Sequence, residues 1–566
     1  MKIRLIILTL LSTGLLSLAL PNEILVYGSP VIGVICIVPF LIAVTLSPSL
    51  RFSLFLGLIF GVVSTLLCYY WLMFFKEFSV WTITGTALGY AIYFSIFAPF
   101  LKTFSRVNRI LRPFLIAIAW SLFEYFKATG YLGFPWGLLA YPAWQILPFI
   151  QIADITGIWG VSLLLILLNT LITETVLQVF HLEPRYALVH RGTFLWHRRV
   201  RGTLLSRPHP CTVTRYPLLH QWITVITLII LALTYGFYRL SHSIPAPKRF
   251  TALLVQQNID SWVAGNEIES LLIGENLTLE GLAEASEPVD IVIWSETSLS
   301  RPFTEFRPFY AEKPESMPFL SFLEKIDTYL LVGAPYAVDW ENYRMMNSVI
   351  MLHPEGRIEQ YYGKQHPVPL AEHIPFWEVP AIRNFFQNVV GLYSSGWVLG
   401  KEYTIFTLPT HDGTTVTFGA PICFEDAFPS LCRRFILQGA DLLINLTNDS
   451  WSRMVSAETQ HFVAALFRSV ETKRVLIRST NAGVTAVVGP FGRVLESLPL
   501  FTEDTLYTEV PVYKEDSFTP YTLYGDYLPF IYIVILVWLL FTTRADHNTE
   551  GTHAAQRKRS REKTKA

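Results

Sequence analysis

The sequence predicts an α-helical membrane bundle of about eight transmembrane helices carrying an extracytoplasmic α/β domain. Three observations predict it. Of 566 residues, 52% are hydrophobic and only 16% charged, with a mean hydropathy of +0.39. Soluble chains run at about 25% charged. Long apolar stretches crowd the ends of the chain, and the block between them alternates short apolar runs with polar turns. The formal net charge of zero hides an uneven split. Residues 242–525 hold 20 Lys/Arg and 34 Asp/Glu, and the remainder holds 24 and 10. This division excludes a disordered chain and gives no global electrostatic support to a nucleic-acid partner.

Seven stretches precede residue 242, at about 4–20, 30–47, 52–75, 80–101, 113–126, 158–180 and 218–238, and an eighth runs from about 527 to 543. Several approach the ~20 residues a bilayer requires. Lys2 and Arg4 precede the first. Arg51 lies between the second and third, and Lys102, Arg106, Arg109 and Arg112 between the fourth and fifth. Seven arginines fill the 181–216 loop, and the tail ends RKRSREKTKA. The alternate connections carry little positive charge. Because Lys and Arg accumulate on the cytoplasmic side, the 242–525 block is expected outside the cytoplasm. The expected division is 1–241 bundle, 242–525 external domain, 526–543 last span and 544–566 basic cytoplasmic tail. The first stretch also reads as a secretory signal; a retained span is the preferred reading. The 130–157 connection is aromatic but broken by Pro135, Pro142 and Pro148, which predicts a surface-lying or re-entrant segment on the lipid side of the entrance.

Within the external block, apolar runs at 251–256, 290–294, 329–332, 348–352, 416–422, 441–446, 475–478 and 485–488 read as strands, and 457–471 as a helix. Strands mixed with helices predict a layered α/β domain. Of the five cysteines, Cys423 and Cys432 fall here; an oxidising compartment allows a bridge between them. No HExxH or CxxC spacing suggests a metal, and no cofactor is expected.

Three runs end in reactive side chains: IVIWSE at Glu296, IEQYYGKQHPVPLAE with Lys364 and Glu372, and FGAPICFED with Cys423, Glu425 and Asp426. Strand ends are where α/β domains present active-site groups. A thiol attacks as thiolate. Glu296 suits the proton acceptor and Lys364 the cation that stabilises thiolate and oxyanion. Taken singly, each has an ordinary structural role; their complementarity is the signal. A Cys-His pair using His366 or His461 is a rival. So is a transporter or lipid-binding sensor built on the intramembrane Glu124 and Glu174, although neither has an evident basic partner at matching depth.

The ordered set resembles the nitrilase superfamily, and with the spans it resembles the bacterial apolipoprotein N-acyltransferase family. The matching motifs are QQN (256–258), WSE (294–296), Lys364-x7-Glu372, CFE (423–425), ND-x-W (448–451), QHF (460–462) and RSTNAG (478–483), with GFPW (133–136) and GIWGVS (157–162) in the membrane part. The resemblance implies an α-β-β-α domain on the periplasmic face of the bacterial inner membrane. It implies ping-pong acyl transfer from a phosphatidylethanolamine-like phospholipid to the N-terminal diacylglyceryl-cysteine of a lipoprotein. Cys423 is then the nucleophile, Glu296 the base and Lys364 the oxyanion stabiliser, with Glu372 and Glu425 supporting and Trp262 a lid aromatic. Ser295 stands where the family commonly has proline, and Phe424 where it has tyrosine. A membrane-tethered amidase is the alternative within the superfamily.

Overall fold

The computed structural model describes residues 1–74, 79–182, 217–261, 263, 265–369, 371–391, 394, 396–514 and 517–539. The arginine-rich loop beyond residue 182, Trp262 and the basic tail lie outside the described residues.

Five described helices are long and apolar enough to cross a membrane: Lys2–Ala19, Leu50–Cys68, Val80–Thr103, Ile158–Val179 and Leu218–Ser241. Three predicted spans are shorter. The last is Tyr527–Leu539 and the fifth is the 17-residue helix Arg112–Ala128. The second is split into Pro30–Gly33 and Val38–Leu46. Pro39 sits in the first turn of the latter, where its missing N–H costs nothing. Asn169 covers the polar groups at the break: its Nδ2 donates to the Gly33 carbonyl at 2.8 Å and its Oδ1 accepts from the Ile37 N–H at 3.1 Å. Backbone opened inside a bundle persists only where protein groups satisfy it.

The 242–525 block contains two six-stranded sheets. The first holds β1 (Lys248–Gln256), β2 (Ile291–Ile293), β3 (Tyr329–Asp339), β4 (Arg344–Leu352), β5 (Ile358–Gly363) and β12 (Asp504–Val512), in the order β12-β1-β2-β3-β4-β5. The second holds β6 (Ile405–Pro409), β7 (Thr415–Gly419), β8 (Leu442–Thr447), β9 (Leu476–Thr480), β10 (Ala486–Val488) and β11 (Val494–Ser497), in the order β11-β10-β9-β8-β7-β6. Both have a parallel centre, β1-β2-β3 and β7-β8-β9, with antiparallel flanks. Alternate residues of β1 and β2 divide between two cores. Leu253, Val255 and Val292 pack outward on Trp294, Phe319 and Phe322, while Leu254, Ile291 and Ile293 join the core shared with the second sheet. The expected α-β-β-α layering follows.

Helix Val455–Thr472 covers the second sheet, and every residue from Ser456 to Thr472 is buried. A one-sided amphipathic helix leaves its far face wet; this one is covered on that face by the bundle. Gln460 Nε2 donates to the carbonyls of Pro21 (2.8 Å) and Cys68 (3.1 Å), and Phe462 and Phe467 meet Trp144 and Tyr141. The 130–157 segment lies at this junction. Trp136, Leu138, Tyr141, Phe149 and Ala153 are buried, so most of it is packed inside the protein. This corrects the surface-lying, lipid-side expectation: its prolines do break helix, but protein on both sides supplies the cover.

Candidate active site

The predicted reactive residues converge. Glu296 follows β2, Lys364 follows β5 and Cys423 follows the β7 run. β3 lets Glu296 reach its place because residue 333 is glycine: a Cβ there would stand 2.3 Å from the Thr297 nitrogen and 2.5 Å from the Glu296 Cα. Lys364 Nζ donates to Glu296 Oε1 at 3.2 Å and to Glu372 Oε1 at 2.7 Å. Asn347 Nδ2, from β4, donates to the same two oxygens at 2.8 and 3.2 Å. The other Glu296 oxygen accepts the Asn448 backbone N–H at 2.9 Å, so the ND-x-W loop of the second sheet closes on a carboxylate of the first. Glu296 and Lys364 are both buried.

Cys423 opens a short turn, Cys423–Ala427, with φ +49°. Few side-chain-bearing residues adopt that left-handed conformation, and it persists only where surroundings impose it. Asn445 Nδ2 donates to the carbonyls of Pro421 (3.0 Å) and Cys423 (3.2 Å). Glu425 accepts from the N–H groups of Ile422 (2.8 Å), Gln365 (2.7 Å) and His366 (2.9 Å) and from the Tyr362 hydroxyl (3.0 Å). One carboxylate thereby ties the turn before Cys423 to the loop after Lys364. Burial pushes Glu425 up to about 7 despite these donors.

Burial and the Glu296 carboxylate push the Cys423 thiol well up, against the Lys364 ammonium. The resting sulfur is therefore a thiol. Desolvation and the carboxylates of Glu296, Asp449 and Glu372 outweigh the one cation, which favours the protonated form and fits the expected need for a proton acceptor. Lys364 loses by burial but gains more from Glu296 and Glu372, and stays a cation. Cys423 and Cys432 are both free, the latter donating weakly to the carbonyl of Glu425, which removes the bridge reading.

A second polar cluster stands behind the turn. His461 bonds Asp426 through Nε2 (3.0 Å) and Asp449 through Nδ1 (3.2 Å), and Arg478 pairs with Asp426. With both ring nitrogens engaged, His461 cannot serve as base to Cys423. The His366 ring packs on Phe428 at 3.9 Å, and burial beside Lys364 pushes it down to about 4. Sequence reading missed Asn347; a lone amide within the apolar run of β4 was its signal. Among the described residues no group of His, Cys, Asp and Glu is arranged to hold a metal.

Comparison with known proteins bears on the family of the chain. Residues 12–171 match the family described as Apolipoprotein N-acyltransferase N-terminal domain, and residues 254–516 match Carbon-nitrogen hydrolase. "Apolipoprotein N-acyltransferase 2" of Treponema denticola is 36% identical over 531 residues, 94% of this chain and 96% of that protein. The protein of that name in Treponema pallidum is 34% identical over 89% of this chain and 88% of its own length. "Apolipoprotein N-acyltransferase" of Borreliella burgdorferi is 30% identical over 96% of each.

Proposed function

The chain belongs to the apolipoprotein N-acyltransferase family, and from that premise we propose that it moves a phospholipid acyl chain onto the α-amino group of a lipoprotein's N-terminal diacylglyceryl-cysteine. The observation that supports this best is the meeting of the buried Glu296 carboxylate and Lys364 ammonium with the half-buried Cys423 thiol. The site lies in a domain whose covering helix is packed on apolar helices. Both substrates are membrane-anchored, and a tethered domain raises their effective concentration.

In the first half-reaction Glu296 takes the Cys423 proton and sulfur attacks the sn-1 ester carbonyl of a phosphatidylethanolamine-like donor. The tetrahedral oxyanion forms beside Lys364. The ester C–O bond breaks, the lysophospholipid oxygen takes the proton from Glu296, and a thioester remains. In the second half-reaction the amine attacks the thioester, its proton passes to Glu296, the C–S bond breaks and the thiol is restored. Glu372 orients the lysine and Glu425 fixes the two loops. Trp262 is assigned to a lid by family resemblance alone. The bundle has eight spans in a bacterial inner membrane, with boundaries at 1–241, 242–525, 526–543 and 544–566 and the catalytic domain on the periplasmic side.

The test is intact-mass analysis of the full chain incubated with phosphatidylethanolamine. A long-chain acyl adduct on Cys423, discharged as an N-acyl amide by a diacylglyceryl lipopeptide, is expected. Discharge to free fatty acid at an unchanged rate when the lipopeptide is added would favour the amidase-type hydrolase instead.

A further inference from the structure

Among the acid–base pairs of the described bundle residues, two stand on the helix Arg112–Ala128. Glu174 and Glu124 both have cations near them, Arg112 and Lys127, which corrects the expectation that they lack partners; depth along a span is not visible in linear sequence. The two pairs differ in what they hold. Arg112 binds Glu174 directly, and Glu174 also accepts from Gln178. Glu124 and Lys127, three residues apart on one helix, both turn to the open backbone at 136–139. Glu124 accepts the Leu139 N–H at 3.0 Å, the Trp120 indole N–H at 3.2 Å and the Ser162 hydroxyl. Lys127 Nζ donates to the Trp136 carbonyl at 2.8 Å, which also accepts from the Tyr69 hydroxyl at 3.1 Å. Gly137 has φ +67°, and a Cβ there would stand 1.9 Å from the Tyr69 hydroxyl. Hydrogen bonds hold the Trp136 carbonyl and the Leu139 N–H, and the missing side chain at Gly137 lets the Tyr69 hydroxyl close on the backbone between them.

What is locked is the Trp136 indole. It stacks with Phe134 (5.0 Å between centroids, 15°) and with Phe424 (5.3 Å, 12°), and its centroid is 5.4 Å from His461. Phe424 is bonded to Cys423, the residue held at φ +49°. An aromatic stack fixes the position of a ring better than its energy of roughly 1 kcal/mol suggests, because flat surfaces in a dry core have few alternative fits.

We propose that Glu124 and Lys127 are positioning residues for the nucleophile, holding the Cys423 turn from inside the membrane bundle through the 136–139 backbone and the Trp136–Phe424 stack. The proposal rests on the acyl-transfer reading only in taking Cys423 as the reacting atom. It makes the geometry of the external site conditional on the bundle beneath it: a catalytic domain that loses its seat loses the hold on its sulfur.

The experiment uses the full chain in detergent micelles with two readouts. One is the rate of thioester formation on phosphatidylethanolamine. The other is alkylation of Cys423 by iodoacetamide across pH, located by peptide mass, which needs no lipid. Lys127→Met is expected to slow thioester formation about tenfold with the half-saturating lipid concentration little changed. It should move the alkylation midpoint downward, toward an ordinary thiol, because the sulfur is no longer held beside the Glu296 carboxylate. Arg112→Met, which breaks the other buried pair, should lower thermal stability and leave that midpoint in place. Should Lys127→Met fail to fold, Trp136→Leu is expected to give the same shift and Trp136→Phe to restore it. A midpoint unmoved in whichever folded variant is tested, or moved equally by Arg112→Met, overturns the proposal. If the unsubstituted chain forms no thioester at all, the functional reading fails, and the alkylation arm still decides this one.

Discussion

Two buried charge clusters flank the nucleophile turn, and they are built to opposite ends. Behind the turn, Asp426 and Asp449 face Arg478 and His461, and the formal charges cancel. Glu458 joins them without adding charge: burial and the neighbouring Asp449 push it well above the usual carboxylate range. In front of the turn, Glu296 and Glu372 share one cation, Lys364. That cluster is one positive charge short, and a buried site with excess negative charge favours uptake of a proton. The deficit falls on the side where a thiol must give its proton up. On the proposed mechanism the difference separates a cluster that holds the chain from one that moves a proton, although both draw on buried carboxylates and cations.

The largest effect that can break this contrast is on catalysis. Glu296→Gln keeps the volume and a hydrogen-bonding carbonyl next to Lys364 but removes the proton acceptor. Thioester formation is expected to fall about a thousandfold, measured by intact mass, with the unfolding temperature nearly unchanged. If the rate survives, the front cluster is structural and the comparison is wrong.

The converse holds behind the turn. Asp426→Asn leaves the fully buried Arg478 with Asp449 at 3.7 Å as its remaining carboxylate and His461 with a weakened partner. Removing one member of a buried pair costs about 3 kcal/mol or more. Loss of stability is expected, with activity per folded molecule reduced far less than in Glu296→Gln. The same cluster carries a pH signature. Burial lowers the His461 imidazole, but Asp449 and Asp426 outweigh it and hold its pKa up from 6.5 to about 9. The folded state therefore keeps a proton the unfolded chain releases. The stabilisation is whole below pH 6.5 and is lost as pH rises through 9, by roughly 3 kcal/mol. Denaturation of the full chain at pH 6 and pH 9.5 should show the fall, and His461→Gln should flatten it.

How much of this was legible in sequence follows from what each element buries. Glu296 and Cys423 stood out because each closes an apolar run: β2 is buried throughout, and the residues from Phe418 to Ile422 that lead from β7 to Cys423 are buried too. Strands β6, β11 and β12 were not seen. They lie at sheet edges; β6 and the end of β12 interleave buried residues with more exposed ones and β11 buries none, so their polar positions hid them among turns. β5, buried only at its end, entered the reading as the run carrying Lys364 but not among the strands. Partners brought together from far along the chain, such as Asn448 on Glu296 or Trp136 on Phe424, left no mark on either local pattern. The long apolar helices were legible, but the split at 33–38 was not, because Asn169 repairs it from more than a hundred residues away.

A third carboxyl sharpens the comparison because it belongs to neither cluster. Glu275, on the helix Glu267–Glu284 outside the first sheet, is buried, and neither of its oxygens has a hydrogen-bond partner. Burial alone pushes it up to about 8. Its folded pKa lies above its ordinary value of 4.5, so its neutral form is favoured on folding. Stability attached to that form is present below pH 4.5 and is lost as pH rises through 8. Glu275→Gln keeps the shape and cannot ionise. It should stabilise the chain by about 1 kcal/mol at pH 9, a gain that shrinks toward pH 5, and leave thioester formation untouched. A buried carboxyl with no cation beside it is then only a cost, whereas Glu296, the base of the proposed mechanism, is paired with the Lys364 ammonium.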